Sequence, residues 1–142
     1  MNTTEINRAY EAVILVHPDA SEADQKNLFK KNKGIIEKEN GEIHSLETWG
    51  KRFLGNPIKK ISKANYFHTT FRANADAIAE LERTMRINDQ VLRFMHVRLK
   101  EGTDLSKHME EFRQTITDAN NRQKEYEAKE RKKAERFAKK NN

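Results

Sequence analysis

The stretch from Gly41 to Tyr66 limits the fold more than any other part of the chain. It holds the only tryptophan, three of the five glycines and one of the two prolines. Residues 42–49 and 65–71 are rich in β-branched and aromatic side chains: Ile43, Trp49, Tyr66, Phe67, Thr69, Thr70 and Phe71. Such residues suit a pleated, half-buried surface, so both segments are predicted to be strands. Gly55, Asn56 and Pro57 stand between them, and Pro57 cannot donate to a sheet ladder, which marks a turn or an edge. The pattern predicts two antiparallel strands joined by a long connection. No acid occurs between Thr48 and Tyr66, while Lys51, Arg52, Lys59, Lys60 and Lys63 are all cationic. The connection is therefore expected to carry phosphate-binding charge past the end of a sheet.

The segments on either side give that sheet its partners. Residues 1–7 are polar and read as a loose terminus. From Arg8, the residues Tyr10, Ala12, Ile14 and Val16 recur at period two, and Val13 and Leu15 make the other face apolar as well. A strand apolar on both faces belongs in the middle of its sheet, and Pro18 stops it. Ser21 is placed to cap a helix, with Glu22 and Asp24 at its positive end. Leu28, Phe29, Ile35 and Ile36 form the buried stripe, and Gly34 weakens the middle by about 1 kcal/mol relative to alanine. Asn40 and Gly41 end this helix, as residues that accept positive φ commonly do. Asn74 caps a second helix with Ile78, Leu81 and Met85 facing the sheet. Asn88-Asp89 makes a turn, and residues 90–100 form a fourth strand. The order strand, helix, strand, strand, helix, strand predicts an α+β fold, the ferredoxin-like split βαβ arrangement: a four-stranded antiparallel sheet with two helices on one face. The other face is left open unless something covers it.

Gly102 ends the compact part, giving an expected domain of residues 1–103. In residues 104–142, Leu105, Met109, Phe112, Ile116 and Ala119 follow one another at intervals of 4, 3, 4 and 3, the apolar seam of a helix. Beyond Asn121 the seam fades into a Lys/Arg/Glu/Ala-rich stretch broken only by Tyr126 and Phe137. Charge matters here. Residues 122–142 carry 9 basic and 4 acidic groups, a net +5, against +6 for the whole chain. The extension is thus predicted to be helical and basic, either exposed or ordered on a polyanion.

The chain contains no cysteine, which removes disulfides and thiolate metal sites and suits a reducing cytosol. No signal-like N-terminus or membrane-length apolar run is apparent, so a soluble, cytoplasmic protein is expected. His17, His44, His68, His96 and His108 are scattered, without metal-ligand spacing, and no Gly-rich phosphate loop is present. Some small phosphatases share this fold, the acylphosphatases among them, and carry a basic, Gly-containing cradle after the first strand. Here that position reads His17-Pro18-Asp19-Ala20, whose aspartate repels phosphate. No enzyme activity, no cofactor and no metal are expected. Base stacking on the sheet would need aromatics on adjacent central strands, and Phe94 alone does not supply them. Phosphate contacts are the expected mode of any RNA binding. Trp49 reads as a core or hairpin-packing residue, with a partner contact as the alternative.

Several runs resemble the bacterial small-subunit ribosomal protein six family. They are Tyr10-Glu11, Val16-His17-Pro18-Asp19, Gly41-Glu42-Ile43-His44, Leu46 to Arg52, Pro57-Ile58, Tyr66, Glu80-Leu81-Glu82 and Arg86-Ile87-Asn88-Asp89 leading to Val91-Leu92-Arg93. The resemblance spans roughly residues 8–100. It implies the same split βαβ fold and a non-enzymatic, structural role in the central, or platform, region of the small ribosomal subunit. It also implies pairing with small-subunit ribosomal protein eighteen and joint binding of small-subunit ribosomal RNA. On this basis the RNA-contacting residues are expected among Arg8, Lys51, Arg52, Lys59, Lys60, Arg86 and Arg93. Two departures stand out. Leu54-Gly55-Asn56-Pro57-Ile58 replaces the Leu-Ala-Tyr-Pro-Ile common in the family, removing a stacking tyrosine at position 56. The tail is basic and helix-prone where some relatives carry an acidic one, and its last turns are expected to reach ribosomal RNA or a neighbouring protein. The competing readings are a free-standing RNA-binding translational regulator, which needs no protein partner, and a ligand-sensing or self-associating module driven by the 105–119 seam.

Overall fold

The computed structural model describes residues 7–141; residue 142 and all but Asn7 of the 1–7 terminus read above as loose lie outside them. Strand β1 runs Arg8–Val16, helix α1 Glu22–Lys38, strand β2 Glu42–Ile58, strand β3 Ile61–Ala73, helix α2 Ala75–Arg86, strand β4 Val91–Arg98 and helix α3 Leu105–Lys140. The sheet order is β2-β3-β1-β4, and each neighbouring pair is antiparallel. This is the expected ferredoxin-like arrangement, with doubly apolar β1 in the interior of the sheet.

Both helix starts follow from local chemistry. The Ser21 hydroxyl accepts from Asp24 N–H at 3.0 Å while the Asp24 carboxylate accepts from Ser21 N–H at 3.3 Å, a reciprocal cap that satisfies two otherwise orphaned donors. The Asn74 side chain accepts from Ala77 N–H at 2.9 Å and starts α2. At the end of α1, Asn40 takes the left-handed conformation, φ 61°, but Gly41 does not. Glycine is required there for closeness instead: a Cβ would press on the Arg72 carbonyl oxygen and lie 2.8 Å from Ile36 Cγ2.

The helices bury one face of the sheet. Ala12, Ile14 and Val16 of β1 meet Phe67 and Phe71 of β3, with Leu28 and Ile36 of α1 and Leu81 and Met85 of α2 packed against them. Phe94 packs on this core as well, which accounts for it without a base-stacking role. Asn32 lies unexpectedly in the buried stripe of α1, its amide reaching only the Met85 sulfur at 3.8 Å.

The long connection between the second and third strands is not a loop. β2 continues to Ile58 and β3 begins at Ile61, leaving only Lys59 and Lys60 between them. Strand propensity at Gly55, Asn56 and Pro57 is poor, but propensity yields when a partner strand supplies the ladder. The low-propensity residues sit where the ladder is irregular: Phe53 faces Lys63 and Ile58 faces Ile61. Leu54-Gly55-Asn56-Pro57 therefore lies opposite Ser62 alone, so the missing N–H of Pro57 interrupts no regular pairing.

The chain divides into two compact units at Thr103/Asp104. In the second, Asp104 caps α3 by accepting from Ser106 and Lys107 N–H at 3.0 and 3.3 Å. Among the described residues no helix is long and apolar enough to cross a membrane.

Candidate nucleic-acid interface

β1 ends at Val16, whose partner on β3 is Asn65. β2 and β3 go on pairing past that point, from Arg52↔Ala64 to Ile58↔Ile61. They form a two-stranded ribbon beyond the four-stranded sheet, and the acid-free, cation-rich segment is this ribbon. Its two faces differ because side chains alternate along a strand. Lys51, Phe53 and Lys63 share the helix-side face, and Lys63 Nζ sits 4.5 Å above the Phe53 ring, leaving Phe53 60% exposed. On the opposite face, a bulge at Trp49 lets its indole stack on Tyr66 and His68, with ring centroids 6.2 and 5.5 Å apart. The Arg52 guanidinium lies over the same indole at 5.9 Å. Trp49 is therefore a hairpin-packing residue that also orients a cation.

The tip is conformationally unusual. Lys59 and Lys60 both hold positive φ, 47° and 68°, the condition of a type I′ turn that Asn-Gly normally fills. A left-handed conformation costs a non-glycine residue roughly 1–2 kcal/mol. The ribbon thus ends in two exposed lysines held in a costly backbone state, and strain of this kind concentrates at functional positions.

The structure brings most of the expected residues to one end of the sheet. Arg93 pairs with Leu15, Leu15 with Tyr66, and Tyr66 with Gly50, so Arg93 lies on the same face and at the same end as Arg52. The separation from β2 to β4 is about 14 Å at normal strand spacing. Arg86 ends α2 at this end of the molecule, paired with Glu82 at 3.4 Å and lying 5.7 Å over the Phe94 ring. Arg8 stands apart, at the far end of the sheet opposite Ala73. It lines a polar pocket of about 130 Å³ together with Arg72 and Lys100. Lys63 and Phe53 complete the ribbon; Lys63 was legible in the acid-free run, whereas the exposure of Phe53 depends on the ribbon's projection. Among the described residues no group of three metal-ligating side chains gathers.

A split βαβ domain with a cationic ribbon beyond its sheet defines a small α+β protein whose projecting surface suits a polyanion. Comparison with known proteins supplies the family. Residues 9–98 match the family of ribosomal protein S6. The chain is 60% identical over 124 residues to the small ribosomal subunit protein bS6 of Bdellovibrio bacteriovorus, covering 87% of this chain and 82% of that one. It is 41% identical over 96 residues to the bS6 of Geobacter metallireducens, covering 68% and 81%. A crystal structure of 30S ribosomal protein S6 from Thermotoga maritima superposes with a TM-score of 0.61 at 28% identity, over 76% of this chain and 99% of that one. The chain belongs to the ribosomal protein S6 family of the small ribosomal subunit.

Proposed function

We propose that this protein binds small-subunit ribosomal RNA in the central, or platform, region as one half of a heterodimer with small-subunit ribosomal protein eighteen. It serves there as a structural, non-enzymatic constituent of the cytoplasmic ribosome. The observation that carries the RNA contact is the ribbon with its strained Lys59-Lys60 tip. Lys51, Arg52, Lys59 and Lys60 offer phosphates a projecting cationic surface, Arg93 and Arg86 extend it across the same end, and Arg8 makes a separate contact at the far end. Phosphate contacts position a protein on RNA without reading sequence, so the paired protein is expected to share the task of specificity. Strand β4 supports the pairing. It is an edge strand, and its Met95 and Val97 are 56% and 37% exposed, an apolar strip beside unsatisfied backbone groups that a partner covers well.

The test is binding of the purified chain to a central-domain fragment of small-subunit ribosomal RNA, with and without protein eighteen, over a salt series. Tight binding only with the partner, weakening steeply with salt, is expected. Equal affinity without the partner would replace this reading with a free-standing RNA-binding regulator.

A further inference from the structure

Helix α3 lies outside the residues matched by the family, 9–98, and its C-terminal half has an organisation of its own. Lys129, Lys132, Lys133, Arg136, Lys139 and Lys140 are all exposed. From Lys129 they fall at i, i+3, i+4, i+7, i+10 and i+11, which places them on one face of an α-helix and within about a third of its circumference. Arg122, at i−7, is in phase with them. The other cations of this half, Lys124 and Arg131, point away, and Glu127 and Glu135 are likewise off the face. Glu125, at i−4, is the one acid inside it. Tyr126 and Phe137, 65% and 70% exposed, border one side. Lys133 reaches Glu130 at 3.6 Å, but an exposed pair of this kind is worth little and yields readily to a phosphate.

We infer that this face of α3 binds the phosphate backbone of duplex RNA. The six cations span about 17 Å of helix, and the two aromatic rings give its border surfaces suited to sugar or base. The face has no apolar ridge: alanines and two aromatics are too little to anchor a helix in a bilayer. The binding energy must therefore come from neutralising closely spaced negative charge, which a nucleic-acid backbone presents continuously. The choice of RNA over other polyanions rests on the reading that the protein works on ribosomal RNA.

The experiment uses the full chain, without a partner protein, and a generic RNA duplex of about 16 base pairs, a length typical of duplex readers. Affinity is measured over a salt series for the parent, for K129Q/K132Q/K133Q/R136Q, and for the off-face control K124Q/R131Q. Glutamine keeps helix propensity, and circular dichroism confirms unchanged helicity. The on-face variant is expected to weaken binding at least tenfold and to lower the salt slope by about 3–4, roughly 0.9 per contact, while the control leaves the slope unchanged. An unchanged slope in the on-face variant, an equal loss per charge in the control, or no duplex binding by the parent at low salt would overturn the inference. Tighter binding of the parent to phosphatidylserine vesicles than to the duplex at the same salt, lost in the on-face variant, would assign the face to a membrane and overturn it as well. Failure of the heterodimer reading shows instead in the ribosomal-RNA assay with and without protein eighteen.

Discussion

His96 carries a pH dependence that its burial explains. Its side chain is 5% exposed, on the helix-covered face of β4 opposite Ala12, with its ring edge-on to Phe71 at 6.0 Å. Burial lowers its pKa below the usual 6.5, and the Glu82 carboxylate at 3.3 Å offsets this only in part. The unfolded chain therefore binds a proton that the folded chain refuses, across the window from 6.5 down to the lowered value. Stability is complete above that window and falls as pH drops through it. Urea unfolding at steps between pH 7.5 and pH 5 should show this loss in the parent and a flatter profile in His96→Gln. The same slope in both proteins would remove His96 from the account. Sequence alone placed His96 among five scattered histidines. Its burial became visible only when β4 took a register against β1.

In the β2–β3 ribbon a conformational cost coincides with the proposed RNA contact. Two consecutive lysines at positive φ are a poor choice for stability, since Asn-Gly adopts the same turn with less strain. Replacing Lys59-Lys60 with Asn-Gly is expected to stabilise the chain by ~1–2 kcal/mol, read as a raised denaturant midpoint. The same change should weaken binding to the ribosomal-RNA fragment and reduce its salt slope by about 1–2. Greater stability with unchanged RNA affinity would mean that the tip does not meet phosphate. The cationic character of this element was plain in the sequence, because a run without acids needs no fold to be seen. Its shape was not. Gly55, Asn56 and Pro57 are loop-forming residues locally, and only the irregular pairing of four residues opposite Ser62 lets a strand pass through them.

At the scale of the whole molecule, the split βαβ order creates two unlike edges, β2 and β4. β2 bears the ribbon and β4 bears the exposed Met95 and Val97. The proposed RNA-binding charge and the proposed protein-binding strip can therefore be separated by mutation. Met95→Glu introduces a charge at an exposed position, so the isolated chain should keep its stability within about 0.5 kcal/mol. It should lose the proposed gain in RNA affinity from protein eighteen. Retained partner dependence in a normally folded Met95→Glu chain would move the partner surface off β4.

The sequence by itself determined the order and type of the elements, their caps at Ser21 and Asn74, and the central place of β1. These are local or periodic properties, fixed by which side chains alternate and which can accept from a free helix N–H. It also carried the family resemblance and the concentration of positive charge in the hairpin and the tail. The tertiary structure decided what depends on pairing between distant residues: the extension of β2 and β3 into a ribbon, the stacking of Trp49 on Tyr66 and His68, and the closeness that demands glycine at position 41. It also decided that Arg52 and Arg93 share a face while Arg8 does not. Strand register is set by contacts between segments far apart in the chain, and a one-residue slip would send each of these side chains to the other side of the sheet.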